Sequence, residues 1–582
     1  MRRLVLSLVL GLCLSSPARA HDATGELREL FATEWAWDMA QSPEWATQLG
    51  DRSHDDKLSD LSPASFAARR NHLAARVLRA RGFRNEKLGT VDRTSLEIFI
   101  TQAEHDSELL RFPVERLALT PFAGPQQDLP VLAQVPAFRT RKHLDDYLAR
   151  LRAIPRYIDQ VIALLEQGRA TGWLPPRQPL RGMPATLRSF RAATAERSVF
   201  YTPFVTMPAS IPAEAQKQLR ATAVQLIASA IDPAFEKIAA YVERTYLPSL
   251  RDDAAAWSLP DGAAYYQTCI ANHTTTRKTA DEIHALGLSE VKRLDDELEQ
   301  LRVKLGFRGK RAEFNQRLRT EARFFYRDGA QLLSAYRDIA KRIDGGLPRL
   351  FKTLPRLPYG VMPTPELEAP TSTTAYYRPG SQDDGRAGMF VANLYKPETR
   401  PSWEMESLTL HEAVPGHHLQ VAIAQELSDL PRFRREGMFT AFVEGWGMYA
   451  ESLGPELGMY QDPYSKYGQL TYEMWRAVRL VVDTGLHQKK WTRQQAVNFF
   501  LLHTAKTQHD IEVEVDRYMS WPGQALAYKI GEQKILALRH RAEKQLGTRF
   551  DIRAFHDEIL NGGGLPLAVL EKKINRWLAR QR

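Results

Sequence analysis

The sequence has very little cysteine: only Cys13 and Cys269 occur among its 582 residues. We expect Cys13 to be removed with an N-terminal segment, which leaves Cys269 alone and excludes both an intrachain disulfide and a multi-disulfide scaffold. Leu12 stands before Cys13 where a lipoprotein signal carries a small residue, so we do not expect lipidation. We interpret Cys269 as a small buried apolar side chain rather than a nucleophile.

Long apolar runs are also scarce, and none after residue 20 is long enough to span a bilayer. The early run at residues 4–14 falls short of the roughly 20 residues that a membrane span needs. It follows Arg2-Arg3 and precedes Ala18-Arg19-Ala20, the order of a signal peptide and its small-residue cleavage site. We predict that residues 1–20 are a signal peptide cleaved after Ala20, and that residues 21–582 are periplasmic or secreted.

Blocks of charge of one sign are missing as well. The net charge is +10, of which three arginines lie in the predicted signal peptide, and the remaining basic residues are interleaved with acids. This pattern indicates a solvated basic surface and excludes a nucleic-acid partner, since there is no Lys/Arg block and no nucleic-acid-binding motif. Attraction to acidic ligands or to anionic membrane surfaces stays open.

Linkers, repeats and strand signals are scarce, whereas helical periodicity is abundant. We predict a single, mainly α-helical domain over residues 21–582, with helices at 214–245, 279–305, 467–488, 492–508 and 566–578. The best strand candidate is 386–395, and it predicts a small β-sheet near the motif described next. This strand could offer its edge to an extended peptide or be an ordinary buried strand. We read the proline-rich stretch 354–370 as a loop.

The most informative segment is His411-Glu412-Ala413-Val414-Pro415-Gly416-His417-His418. A His-Glu pair followed by further histidines is typical of zinc hydrolases, in which histidines bind the metal and the glutamate is the general base. In the common signature the second histidine comes four residues after the first, and here that position is Pro415. A regular helix would place His417 about 9 Å along the axis from His411, too far to share an ion. Pro415-Gly416 can end or bulge the helix, and spacing alone leaves His417 and His418 open.

A third ligand is supplied by the segment Glu444-Gly445-Trp446-Gly447-Met448-Tyr449-Ala450-Glu451. Glu444 stands among large apolar residues on a predicted helix, where a carboxylate is expected to be neutralised by a partner. Two histidines and one glutamate form a known catalytic zinc set. Glu451 lies two turns further along the same helix. It either hydrogen-bonds to one of the metal ligands without binding the metal itself, or is merely exposed.

These segments resemble the bacterial family catalogued as domain of unknown function 885, which is similar in turn to the gluzincin metallopeptidases of the thimet oligopeptidase and angiotensin-converting enzyme type. The resemblance covers most of the chain. It includes the stretches 259–262, 273–276, 376–377, 393–395, 517–518 and 522–531. It implies a helical fold with a deep cleft, and by analogy peptide hydrolysis. The Gly416-His417 pair is similar to the second-ligand Gly-His of the thimet type, which favours His417 over His418.

The resemblance also places the segment 522–531 near the site, which makes Tyr528 our first candidate for stabilising the oxyanion of a tetrahedral intermediate. Tyr518 and His487 come next. Arg476, Arg479, Asp483 and His487 are spaced by three and four residues and therefore share one helix face. That face is either a set of solvated pairs or a polar stripe along a substrate cleft, where an arginine could bind a peptide carboxylate and Asp483 could orient His487.

We therefore predict an exported, zinc-dependent metallopeptidase in which His411, His417 and Glu444 hold Zn²⁺, with a peptide or small amide as substrate. Glu412 would be the general base and later the general acid, and Tyr528 or His487 would stabilise the intermediate. A zinc hydrolase of a non-peptide amide or ester and a catalytically silent binding protein are the alternatives. Nothing in the sequence indicates the oligomeric state.

Overall fold

The computed structural model describes residues 22–253, 255–366, 369 and 372–581. The predicted signal peptide lies outside these residues. Within them the chain is mainly α-helical and has one small sheet, as the sequence predicts. None of the described helices is both long and apolar enough to cross a bilayer.

The helices of the first half of the chain are α1 (Ala23–Gln41), α2 (Pro43–Gln48), α3 (Pro63–Gly82), α4 (Thr90–Leu109), α5 (Pro125–Asp128), α6 (Val131–Gln134), α7 (Arg141–Thr171), α8 (Met183–Ser189), α9 (Thr202–Val205), α10 (Ala213–Leu226), α11 (Asp232–Tyr241), α12 (Leu247–Ser249) and α13 (Gly262–Thr274). Those of the second half are α14 (Ala280–Lys304), α15 (Arg311–Thr320), α16 (Gly329–Asp344), α17 (Met405–Glu412), α18 (His417–Glu426), α19 (Arg432–Arg435), α20 (Thr440–Ser452), α21 (Pro463–His487), α22 (Arg493–His503), α23 (Gln508–Ser520), α24 (Ala527–Leu546), α25 (Ile552–Leu560) and α26 (Leu567–Arg580). The strands are β1 (Tyr359–Pro363), β2 (Ala375–Arg378) and β3 (Gly388–Ala392).

Local sequence explains where the long helices begin. Thr279 caps α14 in a capping box: its hydroxyl accepts from the Glu282 N–H, and the Glu282 carboxylate accepts from the Thr279 N–H. Asp462 caps α21 by accepting from the Tyr464 N–H, with Pro463 at the first helical position. The helix predicted at 214–245 is present as α10 and α11, joined and continued by π-helical turns at Ile227–Ile231 and Val242–Tyr246.

The helix predicted at 492–508 is confirmed through His503, but the prediction is wrong for residues 504–507. The chain leaves α22 after His503, because Thr504 adopts an extended conformation. The Thr507 side chain then accepts a hydrogen bond from the Asp510 N–H and starts α23 at Gln508. Threonine favours extended backbone and helix caps, so its local preference overrides the apolar periodicity.

The sheet has the order β1-β3-β2, with β3 parallel to β1 and antiparallel to β2. Because β3 is the central strand, both of its edges are already paired. The buried-strand alternative is therefore confirmed for this segment, and the alternative of a free edge is wrong. The loop predicted at 354–370 is also wrong in part, since β1 lies within it, while residues 367, 368, 370 and 371 lie outside the described residues.

The helices that carry the candidate site are buried in the middle of the fold. Helices α17, α18 and α20 contribute to one hydrophobic cluster together with α16, the sheet and the C-terminal helices α24 to α26. A second cluster joins α14, α21, α22 and α23 on another side. Burial of this much apolar surface holds the short helices α17 and α18 in place, since isolated helices of eight to ten residues are marginal in water.

Helix α20 packs against α24 at unusually close range because two glycines face each other. A Cβ atom on Gly531 would lie 1.8 Å from the Ala441 carbonyl oxygen and 2.7 Å from the Gly445 Cα. Both neighbours are backbone atoms, which cannot move away as the end of a flexible side chain can. The contact therefore fixes the distance between the helix that carries Glu444 and the helix that carries Tyr528.

We expect Gly531→Ala to lower the free energy of unfolding by about 1–3 kcal/mol, because the added methyl forces the two helices apart. Gly82→Ala is the matched control, since a Cβ there meets no atom within 4 Å and its backbone is helical. The control should raise stability by up to about 1 kcal/mol. Urea unfolding monitored by circular dichroism checks both, and equal stabilities of the two variants would contradict the close packing.

Candidate metal centre

The Pro-Gly segment ends one helix and starts another. Helix α17 stops at Glu412, Ala413 leaves helical geometry with φ −96° and ψ −111°, and α18 begins at His417. The Val414–Pro415 peptide bond is cis. Gly416 passes so close to the end of α17 that a Cβ atom on it would lie 1.9 Å from the His411 carbonyl oxygen. The chain folds back on the helix it has just left.

This reversal brings two histidines and a glutamate together. The Nε2 atoms of His411 and His417 each lie 3.5 Å from Oε2 of Glu444. One ligand atom from each residue lies within 4.8 Å of the others. The imidazole rings of His411 and His417 stand nearly perpendicular, at 85°, with centroids 4.7 Å apart.

The arrangement fits a tetrahedral zinc ion. Bond lengths near 2.0–2.2 Å at tetrahedral angles place neighbouring ligand atoms about 3.3–3.6 Å apart, close to the two distances from Glu444. Two neutral imidazoles and one carboxylate also form a donor set that leaves a coordination position for water or substrate. His411, His417 and Glu444 are therefore the residues that would hold the metal.

His418 points elsewhere, although it stands next to His417. Its Nδ1 lies 3.1 Å from the Tyr377 hydroxyl and its Nε2 lies 3.1 Å from the Leu357 carbonyl oxygen. Burial lowers the pKa of His418 to about 4, so the ring is neutral. It links α18 to the segment before β1 and to β2, and the structure places His417 in the triad.

Glu451 supports His411 from behind. One carboxylate oxygen lies 2.8 Å from Nδ1 of His411, and the other accepts from the Ser407 hydroxyl at 2.6 Å. The side chain is buried, so the alternative of an exposed Glu451 is wrong. A carboxylate on the far nitrogen of a ligand histidine fixes its tautomer and raises its basicity. This contact presents Nε2 of His411 to Glu444 and His417.

The charges of the triad are strongly coupled. Burial alone would lower the pKa of His411, but hydrogen bonding to Glu444 and Glu451 outweighs it and raises this pKa to about 9. Burial would likewise raise the pKa of Glu444, yet contacts with His411 and His417 hold it well below its usual value. Glu444 is thus ionised throughout the physiological range, as a metal ligand must be.

The predicted general base is adjacent to the triad. Glu412 directly follows His411 at the end of α17, is mostly buried, and contributes to the raised pKa of His411 through its charge. Tyr528, at the start of α24, is partly exposed. Its ring lies parallel to the His411 ring, at an angle of 18° and with centroids 6.5 Å apart. Both residues therefore lie beside the triad.

His487 and Tyr518 are occupied by structural contacts. Nδ1 of His487 accepts from the Ala256 N–H at 2.9 Å, and Nε2 lies 3.0 Å from the Tyr518 carbonyl oxygen. Burial lowers the pKa of His487 to about 4. The Tyr518 hydroxyl donates to Glu514 at 2.6 Å. We correct the prediction accordingly: neither side chain has a free donor to offer an oxyanion, and Tyr528 is the one candidate of the three that stays a prediction.

The polar face of α21 is buried rather than solvated. Arg476, Arg479, Asp483 and His487 are each at most 5% exposed. Asp483 does not orient His487; it accepts from the Tyr266 hydroxyl at 2.6 Å and from the Gly523 N–H at 3.2 Å. The alternative of solvated pairs is therefore wrong for this face.

Two residues that complete the site were missed in the sequence. Ser407 lies one turn before His411 on the same helix face, which is the signal that could have indicated it. Gly447 approaches His411 so closely that a Cβ atom would lie 2.7 Å from Cε1 of the imidazole. The sequence signal that could have indicated Gly447 is its position three residues after Glu444, on the face of α20 that meets α17.

Three comparisons relate the chain to known proteins. Residues 43–574 match the family model described as "Bacterial protein of unknown function (DUF885)". A protein from Colwellia psychrerythraea, provisionally described as a lipoprotein, is 29% identical with a TM-score of 0.90, and the match covers 96% of this chain and 99% of that chain. One from Shewanella oneidensis, described in the same way and of unknown function, is 17% identical with a TM-score of 0.71 over 95% and 99%, a likeness of fold alone. No curated protein matches.

We expect Glu451→Gln to weaken zinc binding about 10- to 100-fold, because the amide orients His411 less firmly and lowers its basicity. Glu426→Gln is the matched control, because Glu426 is the last residue of α18 and its carboxylate pairs with Arg356. Competition with a chelating dye measures the affinity. Equal zinc affinities of the two variants would contradict the supporting role.

We also expect the stability of Asp483→Asn relative to the parent protein to increase with pH between about 4 and 7. Burial raises the pKa of Asp483 to about 7. Below pH 3.8, the usual pKa of aspartate, Asp483 is protonated in both the folded and the unfolded state. Between pH 3.8 and about 7 only the unfolded state ionises, so the parent protein loses stability as the pH rises. The slope is up to about 1.4 kcal/mol per pH unit. Urea unfolding across this range measures it, and a flat difference would contradict a protonated Asp483.

Proposed function

Because the chain belongs to the bacterial DUF885 family, whose description names no reaction, we propose its function from the site: an exported, zinc-dependent metallopeptidase that hydrolyses short peptides. The observation that carries the proposal is the triad of His411, His417 and Glu444, whose ligand atoms lie within 4.8 Å of one another. A glutamate at the end of the first ligand helix and a partly exposed tyrosine beside the first ligand add to it.

Each residue has a role in peptide hydrolysis. Zinc, when bound to the triad, supplies a Lewis acid that polarises the scissile carbonyl and acidifies a water molecule. The Glu412 carboxylate accepts a proton from the attacking water and returns it to the leaving amine. The Tyr528 hydroxyl donates a hydrogen bond to the carbonyl oxygen as negative charge develops on it. Glu451 and Ser407 keep His411 oriented throughout.

Substrate size and location follow from the resemblance and the relatives. A gluzincin-like fold of the thimet oligopeptidase or angiotensin-converting enzyme type would enclose the site in a deep cleft, which admits oligopeptides and excludes folded proteins. The N-terminal signal pattern supports export, and so does the provisional description of the similar Colwellia psychrerythraea protein as a lipoprotein. The substrate would then be a peptide met outside the cytoplasm.

The decisive experiment combines metal analysis with activity. We expect protein purified without chelators to contain about one zinc per chain and to cleave short peptides much faster than intact casein. Glu412→Gln should retain zinc and lose at least about 100-fold in kcat, since general base catalysis is worth about that much. Glu406→Gln is the matched control on the same helix, where the carboxylate accepts from the Tyr460 N–H.

Three outcomes would contradict the proposal. Absence of stoichiometric zinc would point to a metal-free binding protein. Full activity of Glu412→Gln would leave the metal site intact but overturn the role of the base. Cleavage of esters or acyl-amino acids without cleavage of any peptide would assign a zinc hydrolase of another substrate class.

A further inference from the structure

Three cations surround one indole ring beside the candidate metal centre. The guanidinium carbons of Arg476 and Arg479 lie 5.1 and 4.9 Å from the centroid of a Trp475 ring, and Nζ of Lys506 lies 4.7 Å from it. We call Arg476, Arg479 and Lys506 the cation cluster. All three are at most 6% exposed. Charges this deeply buried require partners.

The available carboxylates only partly neutralise the cluster. Glu404 pairs with Lys506 at 2.7 Å. Glu514 lies 3.1 Å from Arg479 but also pairs with Arg517. Glu451 lies 3.7 Å from Arg476, yet its oxygens are already bonded to His411 and Ser407. Each of the two arginines therefore shares its carboxylate with other groups. When Arg517 is counted with the cluster, four cations face three carboxylates, and one positive charge is left in excess.

The same region contains buried polar atoms without a hydrogen-bond partner among the described residues. They are Nε of Arg476, Nη1 of Arg479, Nε1 of Trp475 and the hydroxyl of Tyr472, all within two turns of α21. Buried donors are normally satisfied, so a group of them next to a candidate site indicates a missing acceptor. Several N–H donors with excess positive charge match a carboxylate.

The cluster lies within a short peptide's reach of the triad. The Arg479 guanidinium stacks 4.4 Å above the centroid of the Tyr528 ring, and that ring is 6.5 Å from the His411 ring. Arg476 reaches His411 on a second path, through Glu451. The two ring distances place the Arg479 guanidinium no more than about 11 Å from the His411 ring. An extended chain advances at most about 3.6 Å per residue, so about three residues or fewer span this distance.

We propose that Arg476 and Arg479 bind the C-terminal carboxylate of a peptide substrate, which makes the protein an exopeptidase that cleaves one to three residues from the C-terminus. Cleavage at this subsite rests on the proposed peptidase function, whereas binding of the carboxylate does not depend on it. The carboxylate accepts from Nε of Arg476 and Nη1 of Arg479, while Trp475 forms an apolar wall beside it. Tyr528 separates this subsite from His411.

The test uses binding, which does not depend on turnover. The probes are acetyl-trialanine with a free C-terminal acid and the same peptide as its C-terminal amide. Calorimetry with zinc-loaded Glu412→Gln protein should show the acid bound at least tenfold more tightly than the amide. Arg476→Gln in that background should remove this difference by weakening the acid only. Arg493→Gln is the matched control, because that arginine pairs with Asp516 on another face.

Each outcome decides the assignment. Equal affinity for acid and amide, or no binding of either, overturns it without any variant and therefore whether or not Arg476→Gln folds. An amidated peptide ending in aspartate that binds as tightly as the free acid overturns the C-terminal assignment in favour of a side-chain carboxylate. Tighter binding of the acid without cleavage of any peptide by the parent protein supports the subsite and rejects the proposed function. Peptide cleavage without preferential binding of the acid supports the proposed function and rejects the subsite.

Discussion

The site depends on the chain reversal between Glu412 and His417. On one continuous helix His411 and His417 would lie about 9 Å apart along the axis and could not share an ion. Ending α17 and restarting α18 within four residues brings both Nε2 atoms to 3.5 Å from one carboxylate oxygen of Glu444. The reversal needs Gly416, because any side chain there would collide with the last carbonyl groups of α17. Gly447 allows a close approach of α20 to the His411 ring, where an added Cβ atom would lie 2.7 Å from Cε1.

Around this reversal the structure manages the electrostatic cost of buried charge. The triad, Glu451 and the arginines of α21 form a continuous network in which nearly every charge has an opposite neighbour. Ser407 and Glu451 satisfy the far side of His411 and so direct its other nitrogen inward. Although both arginines have an opposite charge nearby, Nε of Arg476 and Nη1 of Arg479 have no hydrogen-bond partner among the described residues. We assign these two atoms to the carboxylate of the proposed substrate. A buried donor without an acceptor is costly, so each of these two atoms requires an explanation.

The sequence allowed much of the fold and the site to be predicted. The long amphipathic helix α14 was clear because periodicity and its N-terminal cap agreed. Helix α21 was predicted from periodicity alone, and its start at Pro463 after the Asp462 cap was missed by four residues. The three candidate ligands could be named because two histidines and a glutamate stand in two segments close in sequence, and the structure brings them together. The predictions were wrong where the local signal was weak. The break at Thr504 depends on one extended residue, and β1 is a five-residue strand inside a proline-rich stretch.

By itself the sequence determined the residue types of the candidate metal site, the helix break at Pro415-Gly416, and the mainly helical class. Only the tertiary structure placed His417 rather than His418 in the triad and showed that Glu451 contacts His411. It also showed that both nitrogens of His487 are bonded elsewhere. These choices depend on which way a side chain points and on what packs against it from distant parts of the chain. Residue spacing reports neither, because one helix face can meet solvent, a metal or another helix.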